Sequence, residues 1–123
     1  MPWSAIGAFG LGLAVILGAF GAHGLRDRLD AYSLGVYERA VFYQFVHALG
    51  LLTMPLFLKA GMIAESSANR AAWLLLIGIV VFSGSLYALA ISGIRALGAI
   101  TPIGGLAFIG GWLLLGFGLL RSR

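Results

Sequence analysis

"YERAVFYQFVHALGLL", residues 37–52, places Glu38 and Arg39 ahead of, and Tyr43, Gln44 and His47 inside, an otherwise apolar run. On a helical wheel at 100° per residue, Arg39, Tyr43 and His47 fall within about 80° of one another. Gln44 and Tyr37 widen that stripe, and Ala40 and Gly50 are its small members. Val41, Phe42, Phe45, Val46, Leu49 and Leu52 lie opposite, and Glu38 falls on their side. The pattern predicts a helix with one face toward lipid and one inward. The polar stripe points inward, and Glu38 sits at the interface with water.

The rest of the chain explains why lipid is the solvent. Of 123 residues, 61% are hydrophobic and 10% charged, and the mean hydropathy is +1.03. Four runs, 1–25, 40–58, 71–94 and 96–120, contain no Asp, Glu, Lys or Arg. Each approaches or exceeds the roughly 20 residues that cross a hydrocarbon core about 30 Å thick. A soluble domain of this length has too little interior to hide four such segments. The first run has no basic residue ahead of its apolar stretch and is too long for a signal-peptide core, so it reads as a retained span. The expected fold is all-α: residues 1–123 as a single transmembrane domain, a four-helix bundle with spans at about 3–22, 37–58, 71–93 and 101–120.

The connections differ in kind. In "GLRDRLDAYSLGVY", residues 24–37, Leu25, Leu29, Tyr32 and Val36 recur at helical spacing, which predicts a short interfacial helix between spans one and two. The polar second loop, "KAGMIAESSANR", has Lys59 and Arg70 at its edges. In the third loop, Thr101-Pro102 reads as an N-cap with proline at the first helical position. Starting there leaves 19 residues to Leu120, about 28 Å at 1.5 Å each. Starting near Leu97 with a kink at Pro102 is the alternative.

Small residues recur where helices should meet. Gly10, Ala14, Gly18 and Ala22 share a face of span one, and Gly84, Ala88 and Ser92 a face of span three. Gly104, Gly111 and Gly118 recur every seven residues in span four, with Ala107 between. Such faces let backbones approach closely where lipid removes the hydrophobic drive. Glycine faces left over after the intrachain contacts predict a homo-oligomer or a membrane-protein partner.

The net charge of +4 comes from basic residues scattered at helix ends, which suits phospholipid and not nucleic acid. Lys59, Arg70, Arg121 and Arg123 on one side balance Arg26, Arg28, Arg39 and Arg95 on the other. If protein contacts hold Arg39 and Arg95, the balance tips toward both termini being cytoplasmic. There is no cysteine, hence no thiol chemistry. No nucleophile–base pair, metal cluster or phosphate loop is legible, so no catalytic residue, metal or cofactor is expected. A haem between His23 and His47 is disfavoured, because the two differ by about 10 Å in depth.

His47 lies roughly 15 Å beyond Tyr37, near mid-membrane. Ser83 is central in its own run, and Tyr87 shares its face. The expected cluster therefore has His47 meeting Ser83 or Tyr87, with Tyr43 and Gln44 beside them. Arg95, His23 and Arg39 should crowd one membrane boundary. Buried polar groups of this kind serve either as interhelical glue, at about 0.6 kcal/mol per contact, or as a functional site. The leading expectation is a non-enzymatic structural or assembly component surrounded by membrane lipids. The alternatives are a small-solute or proton transporter and, more distantly, a lipid- or quinone-binding pocket protein.

Together "GAFGAHGL" (18–25), "FYQFVHALGLL" (42–52), "FSGSLYALAISG" (82–93) and "LGAITPIGGLAFIGGW" (97–112) resemble the domain of unknown function 423 family. These are small bacterial membrane proteins, themselves similar to transmembrane protein 256. The resemblance touches all four spans and implies a multi-pass protein of the inner (plasma) membrane, with no activity attached. The family's characteristic positions fall at His23, Tyr43, Gln44, His47, Ser83, Ser85, Tyr87, Thr101 and Pro102. One departure is Glu38-Arg39, where the family pattern has a threonine-glycine-like pair.

Overall fold

The computed structural model describes residues 1–121; Arg123, counted in the charge balance, lies outside them. Helix α1, Trp3–Phe20, runs on into one widened π-helical turn, Gly21–Leu25. After a short connection comes α2, Ala31–Lys59. The third span is α3, Glu65–Gly78, a second π turn, Ile79–Ser83, and α4, Gly84–Ser92. A 3₁₀ turn, Arg95–Ala99, precedes α5, Thr101–Arg121. The chain is a four-helix transmembrane bundle, with membrane-length apolar helices at Trp3–Leu25, Ala31–Lys59, Glu65–Ser92 and Arg95–Arg121. Helix α2 alone is 29 residues long, about 43 Å at 1.5 Å per residue, so its ends project beyond the hydrocarbon.

The separate interfacial helix expected between spans one and two does not form. The Asp30 side chain accepts a hydrogen bond from the Ser33 backbone N–H at 2.7 Å and caps α2 there. That bond, ahead of the Arg95 charge, holds the Asp30 carboxyl below its ordinary range. No proline follows between Ala31 and Tyr37, and the helix continues through Gly35. The amphipathic turns therefore fuse with span two, while Leu25 closes the π turn of span one. At the same end of the bundle, α4 stops at Gly93, whose φ of 74° is left-handed and whose N–H reaches Leu89 O at 2.8 Å.

Two close seams assemble the bundle. Along α1, Gly7, Ala14 and Gly21 are buried at intervals of seven and face α2. A Cβ on Gly7 would lie 2.5 Å from Leu52 N and 2.7 Å from Ala48 O. Gly10 and Gly18 flank this seam against Ala48 and Val41, whereas Ala22 is exposed. Along α5, Gly104, Phe108, Gly111 and Leu115 are buried against the third span. A Cβ on Gly104 would strike the Phe82 backbone, and one on Gly118 would meet Ile63. The third span does not use its own Gly84 face for this purpose. Gly84 borders open space, and Ala88 and Ser92 are exposed. Its close approach is at Gly78, where the Phe108 ring fills the place a side chain would take.

The apolar core has two parts. One gathers Trp3, Leu51, Met54, Leu75, Phe108 and Leu115 toward the second loop. The other gathers Leu25, Val36, Tyr37, Leu86 and Leu89 toward the first and third loops. On α2, Gln44 and His47 fall between the residues of the two clusters.

Candidate functional site

The middle layer is built on α2, which contacts every other span. Gln44, 4% exposed, donates from Nε2 to Gly10 O of α1 at 2.9 Å. It accepts at Oε1 from the Tyr87 hydroxyl of α4 at 2.7 Å. One amide thus ties three spans, donating from its nitrogen and accepting at its oxygen. Ser83 donates to Ala40 O of α2 at 2.8 Å, at the end of the second π turn. Tyr37 packs its ring over Gly21 and donates its hydroxyl to Leu17 O at 2.5 Å, beside the first π turn. Widened turns recur where side chains engage the helix ladder.

His47 is also buried, at 5% exposure, but does not meet Ser83 or Tyr87 as expected. Its Nδ1 lies 2.7 Å from Tyr43 O, one turn back on its own helix. A nitrogen facing a carbonyl carries the hydrogen, so Nδ1 is the donor. The ring stacks on Phe108 of α5, with centroids 3.5 Å apart and planes 13° from parallel. Tyr43 stands beyond at 5.8 Å, and Trp112 at 5.6 Å. The physical reason for the displacement is room. The Gln44–Tyr87 pair occupies the polar side of the layer, and the Phe108 ring presents a flat apolar face to the imidazole.

Ser85 and Thr101 form a pair of their own, with hydroxyl oxygens 2.5 Å apart, linking α4 to the start of α5. Thr101 therefore belongs to this pair and not to a boundary group with arginines. Arg95 lies over the Tyr32 ring, 4.3 Å from its centroid, a cation–π contact. His23 and Arg39 are exposed, and no hydrogen bond joins them to it among the described residues. Tyr32, Leu17 and Phe108 are the partners that sequence reasoning did not assign. Phe108 carried a usable signal, lying four residues beyond Gly104 and three before Gly111 on the face that small residues mark for packing.

Among the described residues every buried side-chain nitrogen and oxygen has a hydrogen-bond partner, and no three His, Asp or Glu side chains gather as a metal site would require. The layer therefore offers shape and cross-bracing, with Gln44, Ser83 and Tyr87 bonded to protein across three spans.

Residues 17–105 match the family described as "Protein of unknown function (DUF423)". The chain is 50% identical over 116 residues to UPF0382 membrane protein SSP2132 of Staphylococcus saprophyticus, covering 92% of each chain. It is 47% identical over 110 residues to UPF0382 membrane protein YwdK of Bacillus subtilis, covering 89% of each. No solved structure matches. With four membrane-length helices and relatives of this kind, the chain belongs to the DUF423 family of membrane proteins.

Proposed function

We propose that this protein is a non-catalytic structural component of the bacterial plasma membrane, working as a homo-oligomer with both termini cytoplasmic. The observation that carries the reading is on α1. Its outer side bears Ala5, Ala8, Gly12, Val15 and Ala19, all exposed and spaced three, four, three and four. That is a heptad seam on the side away from Gly7 and Ala14. A Cβ on Gly12 would meet nothing within 4 Å. Acyl chains give no reason for a row of missing side chains. Phe9, Leu13, Ile16 and Phe20 on the adjoining flank are what lipid exposure alone would favour. Copies inserted in the same direction bring this seam against itself in parallel, as two-fold symmetry requires.

The packing of His47 supports a structural role over transport. The imidazole is 5% exposed and packs its face on Phe108 beside Tyr43 and Trp112, whereas a proton or solute path runs through water. The placement of the termini is supported by Arg95. With that side chain engaged by Tyr32, the four basic residues on the side of the termini outnumber the remaining three on the other.

The absence of cysteine makes both parts testable in native membranes. Single cysteines at Ala8, Gly12 and Ala19 should cross-link into dimers on oxidation, and cysteines at Phe9 or Ile16 should not. Gly12→Leu should abolish cross-linking through Ala8→Cys while leaving the helical circular-dichroism spectrum unchanged. Equal cross-linking around the helix, or none at any position, would refute the seam. For orientation, Asp27→Cys should react with a membrane-impermeant maleimide in intact cells, and Ser66→Cys only after lysis. The opposite pattern would place the termini outside.

A further inference from the structure

A cleft of about 260 Å³ opens beside Tyr37, between the end of span one and the outer side of α2. Gly18 and Ala22 form one wall, and Val41 and Phe45 the other. Tyr37 closes the floor, its hydroxyl directed at Leu17 O. Glu38 is the only charged residue lining the cleft. We infer that this cleft seats a phospholipid with a primary-ammonium headgroup, phosphatidylethanolamine, whose ammonium sits at Glu38 and whose upper acyl chain lies along Val41 and Phe45.

Depth is the first argument. Glu38 and Arg39 are the last charges before the uncharged run 40–58. Glu38 therefore stands at headgroup level, with Phe45 about 10 Å deeper at 1.5 Å per residue. Charge is the second. Glu38 is exposed, and among the described residues it makes no hydrogen bond or ion pair. Its neighbour Arg39 points elsewhere, because successive helical residues do not face each other. An unpaired carboxylate at the mouth of an apolar cleft calls for a cation that brings its own hydrocarbon, and an aminophospholipid does so. A primary ammonium donates charge-assisted hydrogen bonds to a carboxylate, which a quaternary choline does not. The Phe42 ring, also at the cleft and 62% exposed, adds a face for the cation.

This surface is distinct from the outer seam of α1, so the two readings fail independently. The test is native mass spectrometry of the full chain released from nanodiscs of equimolar phosphatidylethanolamine, phosphatidylglycerol and phosphatidylcholine. The unaltered protein should retain phosphatidylethanolamine about fivefold over the other two, the scale of one exposed charge pair. Glu38→Gln should bring that ratio to near one, while Glu65→Gln, remote from the cleft, should leave it unchanged. Ala22→Leu, at an exposed position, should lower phosphatidylethanolamine retention by filling the cleft. No preference in the unaltered protein, a preference that survives Glu38→Gln, or retention unaffected by Ala22→Leu would overturn the assignment.

Discussion

Gly104→Ala is expected to destabilise the folded bundle strongly, although it adds a single methyl group. The new Cβ would strike the Phe82 backbone N, with Phe82 Cα at 2.8 Å. Backbone cannot rotate away as a side-chain tip can, so α5 must move off the third span. Overpacking costs about 1–3 kcal/mol where side chains can adjust; against backbone we expect the upper end or more. The comparison at Gly84 gives the opposite sign. A Cβ there meets nothing, and alanine's better helix propensity should add up to about 1 kcal/mol. Thermal unfolding in mild detergent, followed by fluorescence-detected size exclusion, reads both. Equal midpoints for the two variants would show that the close α5 seam does not hold the fold.

Phe108→Ala should be nearly as damaging, by a different route. The ring is 4% exposed, lies over Gly78, and stacks on His47 with Phe82 and Tyr43 around it. In soluble cores Phe→Ala costs about 3–5 kcal/mol, part of it lost transfer from water. Lipid is already apolar, so that part largely vanishes and the cavity and dispersion part remains. We therefore expect about 2–3 kcal/mol, again read as a lowered unfolding midpoint. Phe108→Leu should recover roughly half. A Phe108→Ala protein as stable as the unaltered chain would mean that the stack beneath His47 contributes nothing.

The four spans could be read from the sequence because charge interrupts hydropathy at each edge, and in lipid that pattern answers directly to bilayer thickness. The inward side of α2 was legible for the same reason, since Gln44 and His47 have no stable place among acyl chains. Partner choice was not legible. Helical spacing puts Ser83 and Tyr87 on one face, but whether that face meets Gln44 or His47 depends on a shift of a few ångströms between helices. The π turns at Gly21–Leu25 and Ile79–Ser83 leave no residue signature, and each changes the direction in which later side chains point. On α1 small residues mark two sides at once. Sequence alone does not say that Gly7, Ala14 and Gly21 face α2 while Ala8 and Gly12 face away. The interfacial helix failed because periodicity reports a face and not a break, and the cap at Asp30 makes the helix continuous.

The bracing by Gln44 also bears on how the chain enters the bilayer. Spans leave the ribosome from the N-terminus, so α1 and α2 reach lipid as a pair before the third span exists. Within that pair Gln44 already finds the Gly10 carbonyl for its N–H, which lowers the cost of carrying an amide into hydrocarbon. Its oxygen waits for the Tyr87 hydroxyl, and that half-filled valence is a latch on which the later hairpin closes.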